Sequence, residues 1–280
     1  MNDAAAPLRR RKRPPRRPRL TGQSFNKMLP NLMTLVGLCV GLSAIRMAMD
    51  GHFGGAVIAI AVSGIIDGLD GRLARLLRAT SRFGAEFDSL ADFLCFGVAP
   101  ALVLYLWSLN DWGAIGFLPS LMFASAMALR LARFNAAIDN APPAAFAYNF
   151  FTGVPAPAGA GLALFPLLVG LEADKAHLIW LRAFAGFPGF VGAVLVGVAL
   201  LCVSTMPVWS FKNFKIPTAN VLPLLLGVVI FAAILLADPY AAGALLGLAY
   251  IAMLPFSRMS YQRLAREAET RRHADEAVEA

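Results

Sequence analysis

Long apolar runs, separated by short joints rich in polar residues, glycine or proline, dominate this chain. Runs long enough to cross a bilayer fall at about 29–49, 53–77, 84–107, 114–134, 154–171, 188–209, 218–237 and 240–257. About 20 apolar residues span the hydrocarbon layer as a helix, so each run predicts one crossing. The expected fold is all-α, a polytopic transmembrane helical bundle of about eight spans. An even count puts both termini on one side of the membrane. Residues 1–28 then form a basic tail and interfacial segment, 29–257 the membrane domain, and 258–280 a charged C-terminal tail. The stretch 139–153, with Pro142-Pro143 and the aromatics Phe146, Tyr148, Phe150 and Phe151, reads as a cytoplasmic loop.

Composition agrees with that pattern. The chain is 58% hydrophobic and 15% charged, outside the range of a soluble globular domain. Of its 25 Lys and Arg, all but Arg46, Lys175 and Arg182 fall on one face of the expected layout. Positive charge collects on the cytoplasmic side, so that face and both termini are expected there. Short loops with this bias suit a bacterial inner membrane. Eight basic residues crowd into positions 1–20 beside a single acid, Asp3. Placed just before a span, they read as a topology signal and an attraction to anionic headgroups. Nucleic acid is not an expected partner. Cys39, Cys95 and Cys202 lie in separate apolar runs without metal-site spacing and read as membrane-core filler.

Against this apolar background stand four aspartates. The pattern is D-x2-D-G-x2-A-R-x8-G-x3-D-x3-D, running from Asp67 through Asp70, Gly71, Ala74, Arg75, Gly84 and Asp88 to Asp92. Ionisable groups inside a span are costly and mark functional sites by default. Asp67 and Asp70 are i, i+3 on the second span, and Asp88 and Asp92 are i, i+4 on the third. Each pair therefore shares a helix face. A short reversal brings the two pairs to similar depth. Four converging carboxylates repel unless neutralised, and an all-oxygen set favours a hard cation such as Mg²⁺ or Mn²⁺. Gly71 permits close approach of a ligand, and Arg75 offers a planar fork of donors suited to phosphate. With no histidine expected nearby, an aspartate must serve as the base. A divalent-cation transport site could use the same carboxylates, but it leaves Arg75 and the glycines without a role. Scaffolding would leave the whole pattern unexplained.

The stretch Asp67 to Asp92 resembles the signature of the CDP-alcohol phosphatidyltransferases at every fixed position. The resemblance implies a membrane enzyme that moves a phosphatidyl group from CDP-diacylglycerol to an alcohol and releases CMP. It implies two divalent metals, with Asp67 and Asp88 on both, Asp70 on one and Asp92 on the other. Asp92 would also be the catalytic base. Gly71, Arg75 and Ser81 would hold the CDP moiety, as would Asn31 and Thr34 at the start of the first span. Asn31, Thr34 and Ser81 are also acceptable helix N-caps. Further segments resemble the serine-using branch of the family: Leu29-Pro30-Asn31, Arg130-Leu-Ala-Arg133-Phe-Asn135, Phe151-Thr-Gly153-Val-Pro155-Ala-Pro157-Ala158 and Ser210-Phe211-Lys212. Met206-Pro-Val-Trp209 departs from that branch. L-serine is the implied acceptor, with choline, glycerol 3-phosphate or inositol phosphate as alternatives, and a homodimer is the implied assembly. Serine carries a carboxylate, for which Arg130, Arg133, Lys212 and Lys215 are the candidate cations. Positive-inside topology explains the same four residues.

Overall fold

The computed structural model describes residues 25–138, 150–209 and 221–279. Eleven α-helices account for most of them: α1 Phe25–Met49, α2 Phe53–Leu76, α3 Arg82–Asp92, α4 Ala99–Trp107, α5 Gly113–Ile138, α6 Ala156–Ala163, α7 Phe165–Lys175, α8 Ile179–Ala185, α9 Pro188–Val203, α10 Val221–Ala237 and α11 Pro239–Glu279. Two short antiparallel strands, β1 Phe150–Thr152 and β2 Pro207–Trp209, pair Phe151 with Val208. The chain is an all-α polytopic membrane protein. Five helices are long and apolar enough to cross a bilayer, and seven if each of two bent pairs is one span. Leu222–Ala237 is a shorter apolar helix beside them.

Several joints differ from the apolar pattern, each for a local reason. The run 154–171 is not one straight helix. It starts at Ala156, bends by 42° between α6 and α7, and continues to Lys175. Pro166 in the first turn of α7 lacks the N–H that would continue the α6 ladder. The run 188–209 ends as helix at Val203, and Pro207 then opens β2. The loop expected over 139–153 finishes in β1. The third run is continuous but contains a π-helical segment, Phe93–Val98, directly after Asp92. Pro100 follows it, and a proline ring clashes with the carbonyl four residues back. Widening the preceding turn relieves that clash, and such π segments recur at functional sites.

α1 and α2 pack closely along small residues. Gly37, Ala44 and Ala48 are buried on α1, facing Ala56, Ala59 and Ser63 of α2. A Cβ at Gly41 would run into the Cys95 thiol, so α1, α2 and the π segment meet there without a gap. Between lipid-immersed helices such close packing replaces the hydrophobic drive that holds soluble bundles. Phe123, Leu104, Leu109, Met127, Leu167 and Leu195 fill the centre between α4, α5, α7 and α9. Cys95 and Cys202 are buried and unpaired, while Cys39 is exposed.

At the end away from the aspartates, α7 is tied to α11. Lys175 Nζ donates to Asp238 Oδ2 at 2.7 Å, lies 3.5 Å from Glu172, and sits 4.5 Å from the Tyr240 ring centre. Asp238 also caps α11, its Oδ1 accepting from the N–H groups of Tyr240 and Ala241. The Lys175 ammonium, with those N–H groups, holds the Asp238 carboxyl down at about 2. The folded value lies below the ordinary one, so the stabilisation is complete above about pH 4. It is lost as pH falls towards the folded value. Asp238→Asn should lower the thermal midpoint in detergent at pH 7 and flatten its decline between about pH 4 and 2. An unchanged acid profile would contradict this tie.

Candidate active site

The hairpin between α2 and α3 sets the site. α2 ends as the Leu77 and Ala79 N–H groups turn back to the carbonyls of Leu73 and Ala74, with Arg78 at φ 49°. A left-handed residue reverses the chain in few steps. Ser81 then starts α3 in extended conformation, and its Oγ accepts from Gly84 N–H at 3.0 Å. Ser81 is thus a helix N-cap, one of the two roles its position allowed.

This turn brings Asp67 and Asp70 of α2 against Asp88 of α3. One carboxylate oxygen from each lies within 4.8 Å of the other two. Asp70 is buried, and Thr34 Oγ1 of α1 lies 2.6 Å from its Oδ2 and 3.1 Å from the Pro30 carbonyl. The hydroxyl has one proton to give, and the shorter contact to the carboxylate takes it. Asp92, one turn deeper, lies beside Asp67, and its buried Oδ1 has no hydrogen-bond partner among the described residues. Two unit charges at this separation repel by about 3 kcal/mol even at an effective dielectric constant of about 20. A cluster of three such groups with a fourth adjacent therefore calls for a cation. All its donors are hard oxygens, and three are already within bridging distance, so the residues present fit a divalent metal.

A cleft of about 290 Å³ opens beside these carboxylates, between α1, α2 and α3. Asn31, Thr34, Gly71, Arg75 and Ser81 all line it, together with Asp70 and Asp88. A Cβ at Gly71 would meet nothing within 4 Å, so the missing side chain leaves open space. At Gly84 a Cβ would lie 2.9 Å from Asn31 Oδ1, so here the glycine lets α1 and α3 approach. Arg75 is exposed and in no ion pair among the described residues. Its donors are free for a ligand. Deeper in, a hollow of about 10 Å³ is bounded by Asp67, Asp92, Ser63 and Cys95.

The candidate acceptor cations separate. Arg133 is engaged by three backbone carbonyls: Val203 at 2.7 Å, Ser204 at 3.1 Å and Thr152 at 3.5 Å. It closes the C-terminal end of α9 and clamps β1. Gly153 completes that clamp: at φ 78° it suits glycine alone, and a Cβ would sit 2.8 Å from the Cys202 and Ser204 carbonyls. Arg130 is half-buried and gives its Nε to the Val154 carbonyl at 2.5 Å. Lys212 and Lys215 lie outside the described residues.

Two features had no role in the sequence reading. Asn135 Nδ2 donates to Ser89 Oγ at 3.0 Å, tying α5 to α3 between Asp88 and Asp92 of that helix. The pattern Arg-Phe-Asn flagged Asn135, but only the fold pairs it with Ser89. The other is Tyr250, whose hydroxyl is buried in α11. A lone phenol in an apolar run was the available signal.

Fold and site together describe an integral membrane protein with an acidic centre positioned to hold a metal ion, beside a cleft of about 290 Å³. A family model described as CDP-alcohol phosphatidyltransferase matches residues 27–187, and a second, CDP-alcohol phosphatidyltransferase 2, matches residues 220–255. This chain belongs to the CDP-alcohol phosphatidyltransferase family. It is 38% identical to the CDP-diacylglycerol–serine O-phosphatidyltransferase of Mycobacterium bovis, over 87% of this chain and 82% of that protein. A protein of the same name from Helicobacter pylori is 40% identical over 67% of this chain and 74% of its own length. Another from Methanocaldococcus jannaschii is 32% identical over 66% and 77%.

Gly71→Leu tests the cleft directly. Leucine suits a helix better than glycine, so the fold should hold or gain stability. Binding of CDP to the purified protein should weaken at least about tenfold, as expected when a ligand's space is filled. Unchanged CDP affinity would remove the cleft from consideration.

Proposed function

We propose that this protein transfers the phosphatidyl group of CDP-diacylglycerol to the hydroxyl of L-serine, giving phosphatidylserine and CMP. The observation that carries this reading is the single cleft shared by Asn31, Thr34, Gly71, Arg75 and Ser81 with Asp70 and Asp88. A nucleotide diphosphate needs such a surface: donors for its phosphates, glycine for close approach, and carboxylates at the reacting end. The names of the relatives support serine as the acceptor.

Asn31, Thr34, Gly71, Arg75 and Ser81 hold the CDP moiety, with Arg75 opposing phosphate charge. Asp92 takes the proton of the serine hydroxyl, and the freed oxygen forms a bond to the phosphorus next to the lipid. The bond from that phosphorus to the CMP oxygen breaks, and CMP leaves. Two divalent ions, Mg²⁺ or Mn²⁺, would be held by Asp67 and Asp88 jointly, with Asp70 on one and Asp92 on the other. When bound they supply charge neutralisation and polarisation of the phosphoryl group. Asp92 suits the proton-accepting role because its Oδ1 has no internal partner among the described residues. The acyl chains stay in the bilayer while the headgroup reaches the cleft.

The membrane domain spans residues 29–257, flanked by the basic segment 1–28 and the charged tail 258–280. Counting each bent pair once and adding the short helix α10 supports eight spans with both termini cytoplasmic. The Arg72, Arg75, Arg78 and Arg82 cluster at the α2–α3 turn supports an active site facing the cytoplasm of a bacterial inner membrane. The working unit is a homodimer.

Purified protein with Mn²⁺, CDP-diacylglycerol and labelled serine should release CMP and labelled lipid. An acceptor panel of serine, choline, inositol phosphate and glycerol 3-phosphate should single out serine. Asp92→Asn should cut turnover by about 10²–10⁴ while CDP still binds. Wild-type turnover in that variant would remove Asp92 as the base.

A further inference from the structure

We infer that Asn135 of α5 is a positioning residue for the acidic centre, holding α3 through Ser89 in the rotation that turns Asp88 and Asp92 towards α2. This rests on the metal-dependent reading above and extends it to a helix that adds no carboxylate to the centre. Asp88 offers an oxygen within 4.8 Å of those of Asp67 and Asp70, and Asp92 bounds the deeper hollow with Asp67. Ser89 stands between Asp88 and Asp92 in sequence. At about 3.6 residues per turn it lies about 100° round the helix from Asp88 and about 60° from Asp92. It therefore sits on the flank of the carboxylate face, where a lateral bond resists rotation of the helix about its axis.

That bond comes from α5, by way of Asn135 Nδ2 donating to Ser89 Oγ at 3.0 Å. The hydroxyl lies 3.1 Å from the Ala85 carbonyl and 3.4 Å from Asn135 Oδ1, so its one proton goes to the nearer Ala85 carbonyl. The hold of Asn135 thus reaches the α3 backbone one turn earlier, at a residue that lines the cleft. α5 is itself anchored, because Arg130 and Arg133 bind the carbonyls of Val154, Val203 and Ser204. α3 needs this outside hold for two reasons. Carboxylates gathered without a cation repel, which pushes α3 to turn away from α2. Beyond Asp92 the chain enters the π segment, where the angular register of an α-helix is lost. The deeper half of the span therefore does not fix that rotation. With the tie in place a metal ion meets oxygens already aligned; without it, binding must also turn the helix.

Mn²⁺ should be titrated into the purified full-length protein, with free ion followed by electron paramagnetic resonance. Wild type, Asn135→Ala, Ser89→Ala, the double variant and Ser89→Thr should be compared. The tie can favour the aligned rotation by no more than its own strength, so each alanine variant should bind Mn²⁺ about 3- to 10-fold more weakly. The double variant should lose no more than the weaker single, because both remove one bond. Ser89→Thr keeps a hydroxyl able to bond the carbonyl one turn back, and should bind within about twofold of wild type. Turnover lost in the alanine variants should return as Mn²⁺ is raised, with the KM for serine unchanged at saturating Mn²⁺. Metal-free thermal midpoints should stay within about 4 °C of wild type. Unchanged Mn²⁺ affinity in Asn135→Ala, or additive losses in the double variant, would overturn the assignment. So would a raised serine KM at saturating Mn²⁺, which puts Asn135 on the substrate, or a larger fall in midpoint, which makes the bond a structural tie alone. Wild-type protein that binds no Mn²⁺ would instead overturn the metal reading itself, and this inference with it.

Discussion

Everything in this protein is arranged around the cost of holding carboxylates together inside a membrane. Asp67, Asp70 and Asp88 offer oxygens within 4.8 Å of one another, with Asp92 alongside. Without a counter-charge that arrangement is unfavourable by several kcal/mol. Among the described residues internal relief is small: Thr34 donates to Asp70, and Asp92 Oδ1 has no hydrogen-bond partner. The oxygen donors brought together there suit a divalent cation as the counter-charge.

Holding such a cluster requires stiff surroundings, and the packing supplies them. Small residues on α1 let it lie flat on α2, and the Cys95 thiol fills the space above Gly41. The Asn135–Ser89 bond fixes the rotation of α3 from the α5 side. Arg133 and Gly153 lock the end of α9 to β1, and Arg130 is oriented by the carbonyl that follows. Polar side chains near the site thus divide between those spent on the backbone and those left free. Arg133 belongs to the first group; Arg75, in no ion pair among the described residues, belongs to the second.

Much of the site was legible in the sequence because helix periodicity is strict. Spacings of three and four residues put Asp67 with Asp70, and Asp88 with Asp92, on shared faces. The hairpin between them left only one way for the pairs to meet. The resemblance to the family added Asn31, Thr34 and Ser81, which line the same cleft. What stayed hidden depends on long-range contacts or on backbone departures from ideal geometry. Hydropathy cannot distinguish a straight span from one bent at Pro166, nor a helix end from the strand at Pro207. It gives no hint of the π segment after Asp92. Arg133 looked like a ligand cation because its carbonyl partners lie 19 to 71 residues away in sequence.

The most direct test is Mn²⁺ binding to the purified protein, followed by electron paramagnetic resonance with and without CDP. The account predicts saturable binding in wild type, a change in the bound-ion signal on adding CDP, and loss of that binding in Asp67→Asn and Asp88→Asn. Equal Mn²⁺ binding in wild type and both variants would mean that the acidic groups of α2 and α3 do not form a metal centre, and the reading built on them would fall.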